Sequence, residues 1–187
     1  SAAERDPVLL PTFEQHRPVG STSNIHFATR KVTIEAARSQ LNAVVLDGPK
    51  GNSWEESVAG ILERHRDVHS YAKNDRLGFE VPYVHQGKSH RYIPDFLVRM
   101  TRQDDGVTRT LIIEVSGGQK SPGPTMAKAT TARDQWCVAV NNHGGWGIWA
   151  YLQVNDIAKA STEINAALDV LADAHPNPKQ LAAKPRL

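Results

Sequence analysis

Two acids stand inside apolar runs of this sequence: Asp95 in Tyr92-Ile93-Pro94-Asp95-Phe96-Leu97-Val98, and Glu114 in Leu111-Ile112-Ile113-Glu114-Val115. An ionised carboxylate buried without a partner either protonates or recruits a cation, so each placement needs a chemical reason. The midpoint of the two positions falls between Asp104 and Asp105, inside the turn-forming stretch Gln103-Asp104-Asp105-Gly106. A simple hairpin therefore sets the acids directly across from each other, with Cβ atoms ~4.5 to 5.5 Å apart, where like charges destabilise a sheet unless something positive lies between them. Carboxylates converging on a hard divalent cation, with water and phosphate oxygens completing an octahedron, describe a magnesium site. Such a site polarises a phosphodiester and activates water. Two other readings of the pair stay open. In one, an acid sits on an exposed strand edge and a bulge breaks the register. In the other, the two acids straddle a glycosidic bond as acid and base, although no aromatic-lined cleft is signalled.

The elements that must position these acids follow from pattern. Ser53-Trp54-Glu55-Glu56 has the spacing of a capping box, which predicts a helix from Ser53 to about Arg66. Trp54, Val58, Ile61, Leu62 and His65 fall on one stripe of it, with Glu55 on the border and Glu56 opposite. Residues 78–84 and 90–100, separated by Gln86-Gly87, read as strands, and 107–115 as a strand apolar enough to be buried on both faces. A helix over 125–140 carries Ala129, Ala132, Trp136 and Val140 on one face and stops at Asn141-Asn142-His143-Gly144-Gly145. Residues 146–154 read as a strand, 156–174 as a last helix capped by Asn155, and 25–27 and 43–46 as short strands. The order predicts an α/β fold, a mixed central sheet flanked by helices. Residues 1–24, with Pro7, Pro11, Pro18 and Gly20, read as an extended arm or linker, 25–175 as one domain, and 176–187 as a polar tail.

With 187 residues, 40% of them hydrophobic and 22% charged, the composition is that of one globular domain and excludes disordered, collagen-like and membrane-spanning classes. A net charge of +2 requires any basic surface to be local. The single cysteine, Cys137, excludes an internal disulfide framework and a multi-cysteine zinc site, fits a reducing cytoplasmic setting, and reads as a buried small hydrophobe. No apolar run has the length of a membrane span and no leader pattern occurs. The start at Ser1 rather than Met suggests a processed or excised fragment.

Pro94-Asp95, a loop, then Glu114-Val115-Ser116 resembles the core of the PD-(D/E)XK nucleases. More text extends the likeness: Ser53-Trp54-Glu55, Tyr71-Ala72-Lys73-Asn74-Asp75, Leu77-Gly78-Phe79-Glu80-Val81-Pro82-Tyr83, Arg91-Tyr92-Ile93-Pro94-Asp95-Phe96, Trp136-Cys137-Val138-Ala139-Val140-Asn141 and Gly147-Ile148-Trp149-Ala150. Together these are similar to the C-terminal nuclease domain of the restriction subunit of type III restriction-modification enzymes. The resemblance covers residues 20–154 and implies a restriction-endonuclease-like fold and a Mg2+-dependent DNA endonuclease in which Mn2+ can substitute. It implies as partners double-stranded DNA, a helicase-like ATPase motor and a modification methyltransferase. The chain carries no phosphate-binding loop of its own. By position, Asp95 and Glu114 are the implied metal ligands, and Glu55 the first-helix acid facing them.

The departure is Ser116, where the resemblance expects a lysine. A serine hydroxyl offers a neutral donor and no positive charge beside the scissile phosphate. Either the lysine is lost, leaving a nuclease-fold DNA-binding or docking module, or another lysine replaces it. Lys128, flanking the apolar stripe of the next helix, is the replacement candidate, with Lys120 in the Gly/Pro-rich loop as a looser one. Lys88, Arg91, Lys73 and Lys120 are the expected contacts to the DNA backbone, where positive charge suffices. His65 and His69 could share a helix face but lack a third ligand for zinc. Trp136, Trp146 and Trp149 read as packing residues rather than base-stacking platforms.

Overall fold

The computed structural model describes residues 8–13, 16, 19–51, 53–117 and 122–183. The chain folds around a four-stranded mixed sheet in the order β3-β6-β7-β8. A small ribbon of β1 (Thr33–Glu35) and β2 (Ala43–Val45) precedes helix α1 (Trp54–Arg64) and strand β3 (Val68–Lys73). Next comes a separate hairpin of β4 (Val81–His85) and β5 (Lys88–Tyr92), turning at Gln86-Gly87. Strands β6 (Phe96–Met100) and β7 (Arg109–Val115) follow, then a long helical segment made of α2 (Pro122–Thr130), a π-helical stretch (Thr131–Trp136) and α3 (Cys137–His143). Strand β8 (Ile148–Val154) and helices α4 (Ala160–Asp173) and α5 (Pro178–Ala182) complete it. This is an α/β architecture with a restriction-endonuclease-like topology: β3, β6 and β7 run antiparallel in turn, and β8 runs parallel to β7 after the helical crossover. Among the described residues no helix is long and apolar enough to cross a membrane.

Strand β7 is buried along its whole length, as its unbroken apolar run requires, because both of its faces are covered. Alternation divides its side chains. Leu111, Ile113 and Val115 enter the main core with Val58 and Leu62 of α1, Phe96 and Val98 of β6, and Ile164 and Leu168 of α4. On the other face a smaller cluster forms from Val81, Tyr92 and Ala132, with Phe79, Tyr83, Trp136 and Tyr151 against it. Phe79 stacks on Trp149 at 5.9 Å and meets Trp136 edge-on at 5.3 Å, which gives these tryptophans a packing role. Trp146 receives Phe13 at 5.8 Å.

Several expectations need correction. The run 90–100 is not one strand: it breaks at Ile93-Pro94-Asp95, because Pro94 donates no ladder bond, and its halves join different sheets. Strand β3, the antiparallel partner of β6 at one edge of the sheet, is not among the expected elements. Consequently His65 ends α1 while His69 lies on β3, so they share no helix face. The first β-ribbon begins at Thr33 rather than at 25–27. The last long helix starts at Ala160, after Lys159 rather than Asn155. The polar tail holds α5, where Asn177 and Gln180 form a reciprocal capping box.

Candidate metal centre

The β6–β7 register runs Phe96↔Ile113, Leu97↔Ile112, Val98↔Leu111. Continued one step beyond its last pair, this register sets position 95 opposite 114, the pairing that the midpoint predicts. Asp95 stands in the bend just before β6, and its Oδ2 accepts a hydrogen bond from the Val115 N–H at 2.7 Å. Its place is set by Asn74, which follows β3. The Asn74 N–H donates to the Asp95 carbonyl at 2.7 Å, and its side-chain amide donates to the carbonyls of Pro94 at 3.0 Å and Phe79 at 2.8 Å. One amide thus ties both roots of the β4–β5 hairpin to the sheet.

The acids that come together are Asp47, Glu55 and Asp95, whose carboxylate oxygens lie within 4.8 Å of one another. They arrive from three elements. Asp47 ends the apolar run that contains β2, after the buried Val44 and Leu46. Glu55 lies in the first turn of α1, held by the Ser53 hydroxyl, which donates to it. That bond replaces the expected capping box: Ser53 makes no side-chain bond to the helix backbone, and Glu56 instead accepts from the Gly51 N–H. The helix start is fixed against the end of β7 by Trp54, whose ring leaves no room for a Cβ at Gly117, 2.6 Å away.

Among the described residues, two ammonium groups face these acids. Lys73, the last residue of β3, is 6% exposed, and its Nζ lies 3.0 Å from Asp47 Oδ2 and 3.7 Å from Asp95 Oδ1. Lys31 reaches Asp47 Oδ1 at 2.7 Å and Asp75 at 3.8 Å from the outside. Burial pushes the Asp47 carboxyl up, but the hydrogen bonds from Lys31 and Lys73 outweigh it and hold the group below its ordinary value. In return the hydrogen bond and charge of Asp47 raise Lys31. Asp47, Asp95, both lysines, Asn74, Asp75, Ile93 and Pro94 line an open cleft of 230 Å³.

Three oxygens at this separation fit a hard cation. In an octahedron with metal–oxygen distances of ~2.1 Å, neighbouring oxygens lie ~3.0 Å apart and opposite ones ~4.2 Å, so small side-chain shifts close the set on magnesium or manganese. An all-carboxylate donor set also excludes soft, thiolate-seeking metals.

The other expected site residues fall elsewhere. Glu114 is buried on β7, on the sheet face opposite Ile113 and Val115. Burial raises the hydroxyls of Tyr92 and Tyr151; the Glu114 charge adds to both shifts, and the Asp95 charge adds to that of Tyr151. Ser116 is buried just past β7, its N–H bonded to the Val154 carbonyl at 2.8 Å. Lys128 lies over the rings of Tyr92 and Tyr83, 5.6 and 5.9 Å from their centroids, so it caps the hairpin cluster. Lys88 and Arg91 are exposed on β5, with Arg91 bonded to Glu80 at 3.1 Å. Lys73 is inside the centre rather than on an outer surface, and Lys120 lies outside the described residues. Cys137 is buried, which pushes its thiol up to about 12. Asp47 was not foreseen; its one trace in the sequence is an acid closing the apolar run 43–46.

Comparisons with protein-family models, with curated proteins and with solved structures give no match for this chain.

Proposed function

We propose that the chain is a metal-dependent phosphodiesterase domain that cuts duplex DNA in the cytoplasm, of the PD-(D/E)XK kind found in type III restriction subunits. In this reading it is delivered to DNA by a helicase-like ATPase motor and works beside a modification methyltransferase. The observation that carries it is the meeting of Asp47, Glu55 and Asp95 from three elements at one end of the mixed sheet, beside a buried lysine.

Asp47, Glu55 and Asp95 would hold Mg2+ or Mn2+, which when bound polarises the phosphodiester and acidifies attacking water. The chain's own groups do the rest. Ser53 and the Val115 N–H aim two of the carboxylates, so that little reorganisation is left to the reaction. Lys88 and Arg91, exposed on the projecting β4–β5 hairpin, offer positive charge to a DNA backbone. Ser116 favours a second reading, a nuclease-fold DNA-binding or docking module without cleavage.

The deciding experiment is nicking of supercoiled plasmid in Mg2+ or Mn2+, with Asp95→Ala and EDTA as controls. Metal-dependent nicking that Asp95→Ala abolishes supports the phosphodiesterase. Duplex binding without nicking in either metal supports the module.

A further inference from the structure

We propose that Lys73 is a catalytic residue of this centre: its ammonium, delivered from β3, places at the scissile phosphate the positive charge that Ser116 lacks. The inference rests on the phosphodiesterase reading and names a further group in the same site.

The two lysines of the cleft differ physically. The side chain of Lys31 is 53% exposed and its pair with Asp47 is solvated, an arrangement worth little and easily swung aside. The side chain of Lys73 is 7% exposed, its residue stands across from Phe96 in the sheet, and its Nζ lies 5.9 Å from the centre of the Phe96 ring. A stem buried in the core carries the charged head to a place between Asp47 and Asp95. Beside it Asn74, 5% exposed, keeps an Oδ1 with no hydrogen-bond partner among the described residues, although buried acceptors normally find a donor. Lysine and amide together form a polar wall of the cleft.

Charge points the same way: the Lys73 ammonium lies 3.0 Å from Asp47 and 3.7 Å from Asp95, so with a neutral residue at 73 a metal-loaded centre would be more anionic and less receptive to a phosphodiester.

In the reaction, a water oxygen bonds to phosphorus, the bond from phosphorus to the leaving oxygen breaks, and the proton lost by water is returned through solvent to the leaving group. Nothing is oxidised or reduced. Lys73 moves no proton. It donates hydrogen bonds to a non-bridging oxygen as charge grows there.

The test uses the 187-residue chain with Lys73→Met, Lys73→Gln, Lys73→Arg and Asp95→Ala. Single-turnover cleavage is followed at saturating metal and DNA, and Mn2+ binding is measured separately from the electron paramagnetic resonance of the free ion. Lys73→Met and Lys73→Gln are expected to cleave about 100-fold more slowly, with Lys73→Arg recovering much of the rate. Both neutral variants are expected to bind Mn2+ about tenfold more tightly, because the ammonium and the metal compete for the same carboxylates. If Met at 73 does not fold, as judged by circular dichroism, the Gln and Arg variants carry the comparison. Wild-type cleavage rates in the neutral variants, or unchanged or weaker Mn2+ binding, overturn the role of Lys73 and leave the nuclease reading standing. Absence of wild-type cleavage in either metal overturns the nuclease reading and this inference with it.

Discussion

Replacing Asp95 in two ways separates what this residue does for the fold from what it does for the centre. Its Oδ2 accepts the Val115 N–H at 2.7 Å, and Val115 is 5% exposed. Asp95→Ala removes that acceptor from a buried amide, at a cost of about 2 kcal/mol, which lowers the melting temperature of a chain this size by about 4 to 8 °C. Asp95→Asn keeps an oxygen in nearly the same place, so the amide stays satisfied. It also removes one of three carboxylates within 4.8 Å, relieving repulsion, and without metal the Asn variant is expected to melt at or above the wild type. Metal reverses the ranking. At Mn2+ a hundredfold above its dissociation constant, linkage stabilises the wild type by about 2.7 kcal/mol, about 5 to 10 °C, whereas Asp95→Asn is expected to shift by less than a quarter of that. The assay is a thermal melt of three proteins in EDTA and across a Mn2+ titration. Equal destabilisation by Asn and Ala would refute the hydrogen-bond role, and a full Mn2+ shift in the Asn variant would refute the cluster as the cation site.

Arg109 is 3% exposed and binds Asp105 through two nitrogens, at 2.8 and 3.1 Å, together with the Leu171 and Ala174 carbonyls that end α4. Arg109→Met is expected to cost about 3 to 5 kcal/mol in urea unfolding, and a loss under 1 kcal/mol would deny it that role. The Arg109 hydrogen bond holds the Asp105 carboxyl below its ordinary value, against burial and with help from the Val107 N–H. A carboxyl depressed in the folded state stabilises above the unfolded value of about 3.9 and loses that contribution as pH falls through the folded value. Chemical denaturation should therefore show the wild type losing more stability than Asp105→Asn between about pH 5 and pH 2.5. Gly147 has φ +79° and a Cβ there would sit 2.2 Å from the Thr108 carbonyl, so Gly147→Ala should lower the urea midpoint by the equivalent of about 3 kcal/mol. Gly117→Ala would drive Trp54 off the end of β7 and displace Glu55 beside it. We expect altered tryptophan fluorescence and about tenfold weaker Mn2+ binding, and an unchanged metal affinity would show that α1 does not set the carboxylate.

What the sequence disclosed depended on how local the determining physics was. The β6–β7 register was legible because the turn residues around Asp104 and Asp105 are polar and the flanking runs are apolar, so the pairing follows from counting outward. Helix α1 was legible from its stripe, although the cap bonds differ: Ser53 turns to the Glu55 carboxylate instead of the backbone. Strand β3 was not, since Val68-His69-Ser70-Tyr71-Ala72-Lys73 lacks the alternation of a half-buried strand. Five of its six residues are buried, and their polar atoms are satisfied by distant partners such as Glu63, which accepts the Tyr71 hydroxyl at 2.9 Å.

The same contrast decides which part of the site could be read. Asp95 announced itself as an acid in an apolar run, and so did Glu114, but among the described residues it is Asp95 that joins the three-carboxylate cluster. Pro94 breaks the strand before Asp95 and frees it from strict alternation, while Glu114 stays inside β7, where its charge and that of Asp95 both act on Tyr151. Asp47 and Lys73 lie 48 and 22 positions from Asp95, and nothing local to either marks it as chemical. They are brought in by β3, whose last residue pairs with Phe96, and by the isolated bridge from Ser39 to Tyr71 that brings the chain around β2 alongside β3. A buried lysine is thus informative only after the sheet order is known, because the same residue at an exposed strand end would be a solvated charge with no chemistry to perform.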